Sequence, residues 1–291
     1  MSSARRDFLQ PLRILLLMGR ASNLPTVWSN CVAGWLLAGG GDISGLNLVI
    51  LGGTLLYLGG MYLNDAFDAG FDSQHRRDRP IPSGLIRRET AWGVGLGFLI
   101  VGWLTLAWLG KTTAVLAAIL VVVIVVYNAV HKVFLLAPVL MAACRFFLYL
   151  VAASVATAGV AGIAVWSGLA LGCYIVGLSY IARREATETR LRWWPAWFLA
   201  APVLLALAVN GEGYYQVGFC LMLLLALWVI RCLHPRPEES ELDIKQAVSG
   251  LLAGIVWVDL LALAGSSVPV TMLFVGFFLS ARLLQRLVPA T

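Results

Sequence analysis

The chain has 291 residues, 60% of them apolar and only 12% charged. A soluble domain carries about 25% charged residues, so the composition excludes an ordinary soluble fold and reads as a polytopic membrane protein. The formal net charge of +6 does not point to nucleic acid, because the basic residues follow a membrane pattern.

Taken in chain order, ten hydrophobic stretches are long enough to cross a bilayer or nearly so. They centre on Cys31, Leu56, Gly102, Val122, Arg145, Cys173, Pro202, Leu224, Ile255 and Gly276, and the seventh, Trp194 to Asn210, is short. The run from Ile14 to Met18 behind Arg5 and Arg6 is too short for a signal peptide. With the N-terminus cytoplasmic, nineteen of the 21 Lys and Arg residues fall on the inside. Lys111 alone lies outside and Arg145 lies within a span. That asymmetry predicts a multi-pass protein of the inner or plasma membrane, an all-α bundle of nine to ten spans forming one domain over residues 1–291. Gly93/Gly97, Gly168/Gly172 and Gly250/Gly254 have the four-residue spacing that lets helices approach closely. The five cysteines are scattered, with no close pair, and read as small packing residues.

The chemistry concentrates at the end of the second stretch, in GGMYLNDAFDAGFDSQHRRDRPIPSG, Gly59 to Gly84. On a helix, Asp65, Asp68 and Asp72 stand at i, i+3 and i+7, and Asn64 shares their face. Neighbouring carboxylates repel by roughly 0.2–0.5 kcal/mol per exposed pair, and more near lipid. No lysine or arginine occurs between Met61 and Gln74 to offset this, which favours a divalent ion. All-oxygen donors suit Mg2+, which shares its carboxylates with substrate phosphates. Arg76, Arg77 and Arg79 follow directly, and guanidinium matches phosphate. Acid for a metal and base for a phosphate, at one membrane face, suggest a site for a diphosphate with a lipid tail.

The stretch Asn64 to Asp72 matches the N-D-x-x-D-x-x-x-D motif of the UbiA superfamily of intramembrane prenyltransferases, and Arg79 to Gly84 resembles the R-P-x-x-S-G that follows it there. Arg20 with Asn23-Leu24-Pro25 is similar to that family's first-helix entry, and Tyr127 to Lys132 to its Tyr-Ser-x-x-x-Lys stretch. The resemblance implies a helical bundle with a central cavity open to lipid. It also implies Mg2+-dependent transfer of a prenyl group from an isoprenoid diphosphate donor to a lipophilic acceptor at the cytoplasmic face. By the same resemblance Asn64, Asp65, Asp68 and Asp72 serve the metal, Lys132 contacts the diphosphate, and Arg20 and Asn23 face the acceptor. Tyr127 and Tyr180, next to that site, are candidates to steady a carbocation.

The family's second aspartate motif has no counterpart in Gly177 to Trp194, GLSYIARREATETRLRWW. Three readings stay open there. Glu185 and Glu188 replace the aspartates as metal ligands; or Arg183 and Arg184 take over one ion's charge and contact the diphosphate; or the segment is an ordinary basic loop. The altered motif also resembles the divergent UbiA-like branch that includes EboC proteins. It motivates an alternative function, a non-catalytic protein that binds or transports an isoprenoid or lipid precursor. Two charges fall inside spans, Arg145 and Asp259, and such residues face a cavity or each other. Arg145 either lines the cavity and meets an anionic substrate group or pairs with Asp259; for Asp259 a structural role is favoured.

Overall fold

The computed structural model describes residues 14–183, 194–209, 215–235 and 243–288. Among them every regular element is helical. A helical turn at 14–18 and a 3-10 turn, Ala21–Asn23, lead into α1 (Leu24–Leu37), followed by α2 (Ile43–His75), α3 (Arg88–Ala107), α4 (Lys111–Val130), α5 (Ala137–Ser154) and α6 (Gly162–Ala182). Two short helices, α7 (Trp194–Phe198) and α8 (Ala201–Val209), precede α9 (Tyr215–Leu233), α10 (Ile244–Ala262) and α11 (Val268–Leu287).

Helix starts follow local chemistry. Pro occupies the first turn of α1, α5 and α11, where its missing N–H is not needed. Asp42 caps α2 by accepting from the backbone N–H of Ser44 and Gly45, and Asp243 caps α10 by accepting from that of Gln246.

All ten hydrophobic stretches are helical, but among the described residues only eight helices, α2–α6 and α9–α11, are long and apolar enough to cross a bilayer. The count of nine to ten spans is not confirmed by these helices, because the first and seventh stretches form shorter ones. The first stretch is interrupted at Arg20, which takes a left-handed conformation (φ 41°, ψ 50°), leaving α1 with 14 residues. The seventh is split by a turn between α7 and α8.

The 33 residues of α2 span about 50 Å at 1.5 Å per residue, against a hydrocarbon core of about 30 Å. Some 20 residues cross, so the turns from Asn64 onward reach the interface. The helices form a bundle in which α1 packs on α2, α5, α10 and α11, and α2 packs on α3, α4 and α5. Helix α10 is largely interior, whereas Leu, Val, Ile and Phe on the outer faces of α3, α4, α9 and α11 are exposed, as side chains facing lipid are.

Helices α2 and α3 meet along a glycine seam. A Cβ added at Gly59 would lie 2.9 Å from the Gly95 carbonyl oxygen, and one at Gly102 would lie 3.1 Å from that of Gly52. Glycines seven residues apart on each helix thus let the two backbones nearly touch. Gly168, Gly250 and Gly254 also sit against neighbouring side chains, but Gly93 and Gly97 meet nothing within 4 Å. The expectation that this last pair packs is corrected: Gly95 and Gly102 form the seam, and Gly93 and Gly97 lie off that face.

Candidate active site

Helix α2 carries the aspartate motif unbroken to His75, and other segments bring cations to it. Asp65 Oδ1 lies 3.4 Å from Arg79 Nη1 and 3.8 Å from Arg20 Nη2. Asp68 Oδ1 lies 2.8 Å from Lys132 Nζ and 3.4 Å from His131 Nε2. The repulsion that the sequence reading left to a metal ion is therefore offset by groups remote in sequence.

Each cation has a structural reason to be there. The left-handed turn at Arg20 is held by Tyr57, whose hydroxyl donates to the Arg20 carbonyl at 3.2 Å. Arg79 follows a tight turn after α2, its N–H donating to the Arg76 carbonyl at 3.1 Å. Burial holds the Arg79 pKa below its ordinary value, with the nearby Arg20 charge adding to the shift and Asp65 and Asp72 opposing it. His131 and Lys132 begin the loop after α4, which Arg183 latches by donating to the carbonyls of His131, Phe134 and Leu135 at 2.8–2.9 Å. Tyr180 donates to the Leu135 carbonyl at 3.2 Å. Lys132 Nζ also stands 4.0 Å from the centre of the Phe71 ring, a cation–π contact.

Asn64 is fixed at both ends of its amide. Its Oδ1 accepts from Arg20 Nη2 at 3.1 Å, and its Nδ2 donates to Asn128 Oδ1 at 3.0 Å. Asn128 in turn donates to the Gly60 carbonyl at 3.1 Å. Asn128 and Tyr127 also line a cavity of about 90 Å³ between α1, α2, α4 and α5, whose wall is otherwise mostly apolar: Val27, Leu56, Leu120, Ile124 and Leu148. The motif thus adjoins an apolar chamber inside the bundle.

Arg145 lines the same cavity. Its Nη1 donates to Asn30 Oδ1 at 2.7 Å and its Nη2 to Thr26 Oγ1 at 3.1 Å. Asp259, fully buried, accepts from Ser29 Oγ (2.6 Å), Asn30 Nδ2 (2.7 Å) and the Tyr149 hydroxyl (2.9 Å). The two sequence readings of Arg145 are combined here, since it faces the cavity and reaches Asp259 only through Asn30. Asp259 has the structural setting expected of it, bonded to α1 and α5.

Of the site residues read from sequence, the structure brings together Arg20, Asn64, Asp65, Asp68, Arg79 and Lys132, with Tyr127 alongside. Asp72 is buried one turn beyond Asp68. Arg20, expected to face an acceptor, faces the motif; Asn23 is buried in the turn beside it. Arg76 and Arg77 are exposed, and Arg77 bends back to the Ser73 carbonyl, because α2 ends there and only the turn after it brings an arginine back. Arg183 and Tyr180 face the α4–α5 loop rather than the motif, which makes them supports for Lys132. Arg184, Glu185 and Glu188 lie outside the described residues.

Sequence reasoning missed Asn128, His131, Thr26, Ser29 and Asn30. A signal existed for most. Asn128 is the one amide in a long apolar run and lies four residues before Lys132, on its face; Thr26, Ser29 and Asn30 make a polar stripe at i, i+3 and i+4 along α1.

Among the described residues no three His, Cys, Asp or Glu side chains converge as a metal-holding group. Mg2+ needs only one or two carboxylates beside water and substrate phosphate. Asp65 and Asp68, with the amide oxygen of Asn64, are hard oxygen donors that fit that ion.

Comparison with known proteins agrees with this geometry. The UbiA prenyltransferase family matches residues 26–247. Digeranylgeranylglyceryl phosphate synthase of Methanopyrus kandleri is 35% identical over 91 residues, 31% of this chain and 34% of that relative. The enzyme of the same name from Methanoregula boonei is 31% identical over 83 residues, 28% of this chain and 30% of that relative. The matched stretch spans about a third of each curated relative. A solved structure concerned with digeranylgeranylglyceryl phosphate synthase in membranes aligns with a TM-score of 0.59 at 17% identity, covering 94% of this chain and 99% of that one. A UbiA homolog from Archaeoglobus fulgidus, bound to GPP and Mg2+, aligns with a TM-score of 0.53 at 14% identity, covering 94% and 97%. At these identities the likeness shows the fold, while the family match covers most of the chain, including the motif and the segments that bring Arg79, His131 and Lys132 to it. On that ground the chain belongs to the UbiA prenyltransferase family.

Proposed function

We propose that this protein transfers a prenyl group from an isoprenoid diphosphate to a lipophilic acceptor, in a Mg2+-dependent reaction at the cytoplasmic face of an inner or plasma membrane, with its N-terminus cytoplasmic. The observation that carries the reading is the ring of Arg20, Arg79, His131 and Lys132 around Asp65 and Asp68, beside an apolar cavity. In the reaction, the bond between the donor's allylic carbon and its diphosphate oxygen breaks. That carbon bonds to a nucleophilic atom of the acceptor, which loses a proton, and diphosphate leaves.

Asp65, Asp68 and Asn64 would hold Mg2+, with Asp72 the last carboxylate of the set. The bound ion supplies neutralisation of the charge growing on the leaving group. Arg20, Arg79 and Lys132 bind and orient the diphosphate oxygens, acting where negative charge develops. The Asn64–Asn128–Gly60 chain of hydrogen bonds holds α2 and α4 at a fixed spacing beside the site. Val27, Leu56, Leu120 and Ile124 exclude water from the prenyl chain, and Tyr127 presents an aromatic face to the developing allylic cation. The names of the archaeal relatives make a glyceryl phosphate one candidate acceptor; an aromatic one is another.

One observation favours a second reading. Gly177 to Trp194 contains no aspartate. If Glu185 and Glu188 do not hold a second ion, several kcal/mol of leaving-group stabilisation are missing, at about tenfold in rate per 1.36 kcal/mol, and the protein binds an isoprenoid without converting it. Pyrophosphate release from geranyl, farnesyl and geranylgeranyl diphosphates, assayed with a panel of acceptors, decides the matter. Release that is lost in Asp68→Ala and reduced in Glu185→Ala and Glu188→Ala supports transfer. Donor binding without release under any acceptor supports the second reading.

A further inference from the structure

Arg145 is a charge that the donor site does not use. It lies near the middle of α5, about nine-tenths buried, and lines the cavity. Guanidinium has five N–H donors in a planar fork that matches a carboxylate or phosphate. Asn30 and Thr26 account for two of the five, both with neutral oxygens. Among the described residues no carboxylate lies within 4.0 Å of it. A cation placed only to fasten helices would pair directly with Asp259, the nearest acid, since a buried charge is costly without a partner. Instead, the Asn30 amide stands between them, accepting from Arg145 and donating to Asp259. The arrangement aims the guanidinium and leaves its anion-matching capacity open on the cavity side.

Position excludes the donor's diphosphate as the intended anion. The Tyr57 ring lies 5.9 Å from the Arg145 guanidinium carbon, and Tyr57 precedes Asn64 by seven residues on α2, about 10 Å along the helix axis. Arg145 therefore stands roughly two turns deeper than the motif, where Arg20, Arg79 and Lys132 already serve a diphosphate. With reacting atoms about 3–3.5 Å apart, that separation leaves room for a ring or a short chain between the acceptor's nucleophilic atom and a charged group. A hydrocarbon tail gains nothing from a desolvated cation.

We propose that Arg145 is the acceptor-specificity determinant, reading an anionic oxygen group, a carboxylate or a phosphate, on the acceptor. Asp259 is a positioning residue that holds Arg145 through Asn30. The proposal rests on the prenyl-transfer reading above and narrows its acceptor to an anionic one.

The test uses the full chain in nanodiscs with four probes: a hydroxybenzoate, the matching hydroxybenzamide, glycerol 1-phosphate and glycerol. Binding of each is measured by equilibrium dialysis, and acceptor-dependent pyrophosphate release is measured in parallel. Wild type is expected to favour one anionic probe over its neutral analogue, and which one it favours identifies carboxylate or phosphate. Arg145→Met should weaken that probe by about 10- to 100-fold, the range of a hydrogen bond to a charged group, while Mg2+-dependent donor affinity stays at the wild-type level. Arg145→Lys, which keeps the charge, should recover part of the loss and covers the case in which the methionine variant does not fold. Asp259→Asn should raise the acceptor KM with little change in kcat, whereas a role in packing alone would lower stability and leave the anionic preference intact. Equal preference for anionic and neutral probes in wild type and Arg145→Met overturns the proposal, as does a donor affinity that falls with the acceptor affinity. Arg145-dependent anion binding without any donor binding would sink the prenyl-transfer reading instead, leaving anion recognition standing.

Discussion

Replacing Gly59 by alanine tests whether the aspartate motif depends on the glycine seam between α2 and α3. The new Cβ would sit 2.9 Å from the Gly95 carbonyl oxygen and 2.9 Å from Leu99 Cδ2, where ordinary contact begins near 3.4 Å. The carbonyl is helix backbone and cannot turn aside, so α2 and α3 must separate by about half an ångström. Overpacking of this kind costs about 1–3 kcal/mol. Alanine also improves helix propensity by up to about 1 kcal/mol, which hides part of the cost. Gly97→Ala on α3 provides the control, because a Cβ there meets nothing within 4 Å. The propensity gain is common to both variants, so their difference isolates the strain. Unfolding in detergent, followed by steric trapping, should place Gly59→Ala about 1–3 kcal/mol below Gly97→Ala. Donor affinity should fall only in the former, since Gly59 lies five residues before Asn64. Equal stability of the two variants would refute the seam as the support of the site.

Asp68→Asn removes the charge that meets Lys132 and His131 and should weaken Mg2+-dependent donor binding by about 10- to 100-fold, read by competition binding. Arg183→Gln releases three loop carbonyls and should loosen the segment bearing Lys132; donor affinity is expected to drop several-fold while binding of a tail-only alcohol such as farnesol is unchanged. Asp259→Leu strands three buried donors and should destabilise by about 2–5 kcal/mol, whereas Tyr149→Phe removes one hydrogen bond and should cost about 0.6–1.7 kcal/mol, both read from unfolding in detergent.

The sequence was readable where the physics is local. An apolar run with three acids at helical spacing shows its polar face without any partner, and the arginine cluster directly behind it is equally plain. What closes on that face was hidden, because Arg20, Arg79, His131 and Lys132 reach it through a left-handed turn, a tight turn and a latched loop. Those connections depend on tertiary packing. For that reason Arg76, Arg77 and Arg79 looked equivalent in sequence, although only Arg79 returns to the site. The same holds for glycines: four-residue spacing drew attention to Gly93 and Gly97, while the real seam repeats every seven residues and needs both helices to be seen. Apolar length alone merged α7 with α8 into a span, since hydropathy does not register the turn that splits them.

The decisive measurement is equilibrium binding of a prenyl diphosphate to the purified protein in nanodiscs, with and without Mg2+. Binding should be saturable, need Mg2+, be abolished by chelation, and be lost when Asp65 and Asp68 are both changed to asparagine while the protein stays folded. Binding that is indifferent to Mg2+ and survives that double change would contradict the proposed function.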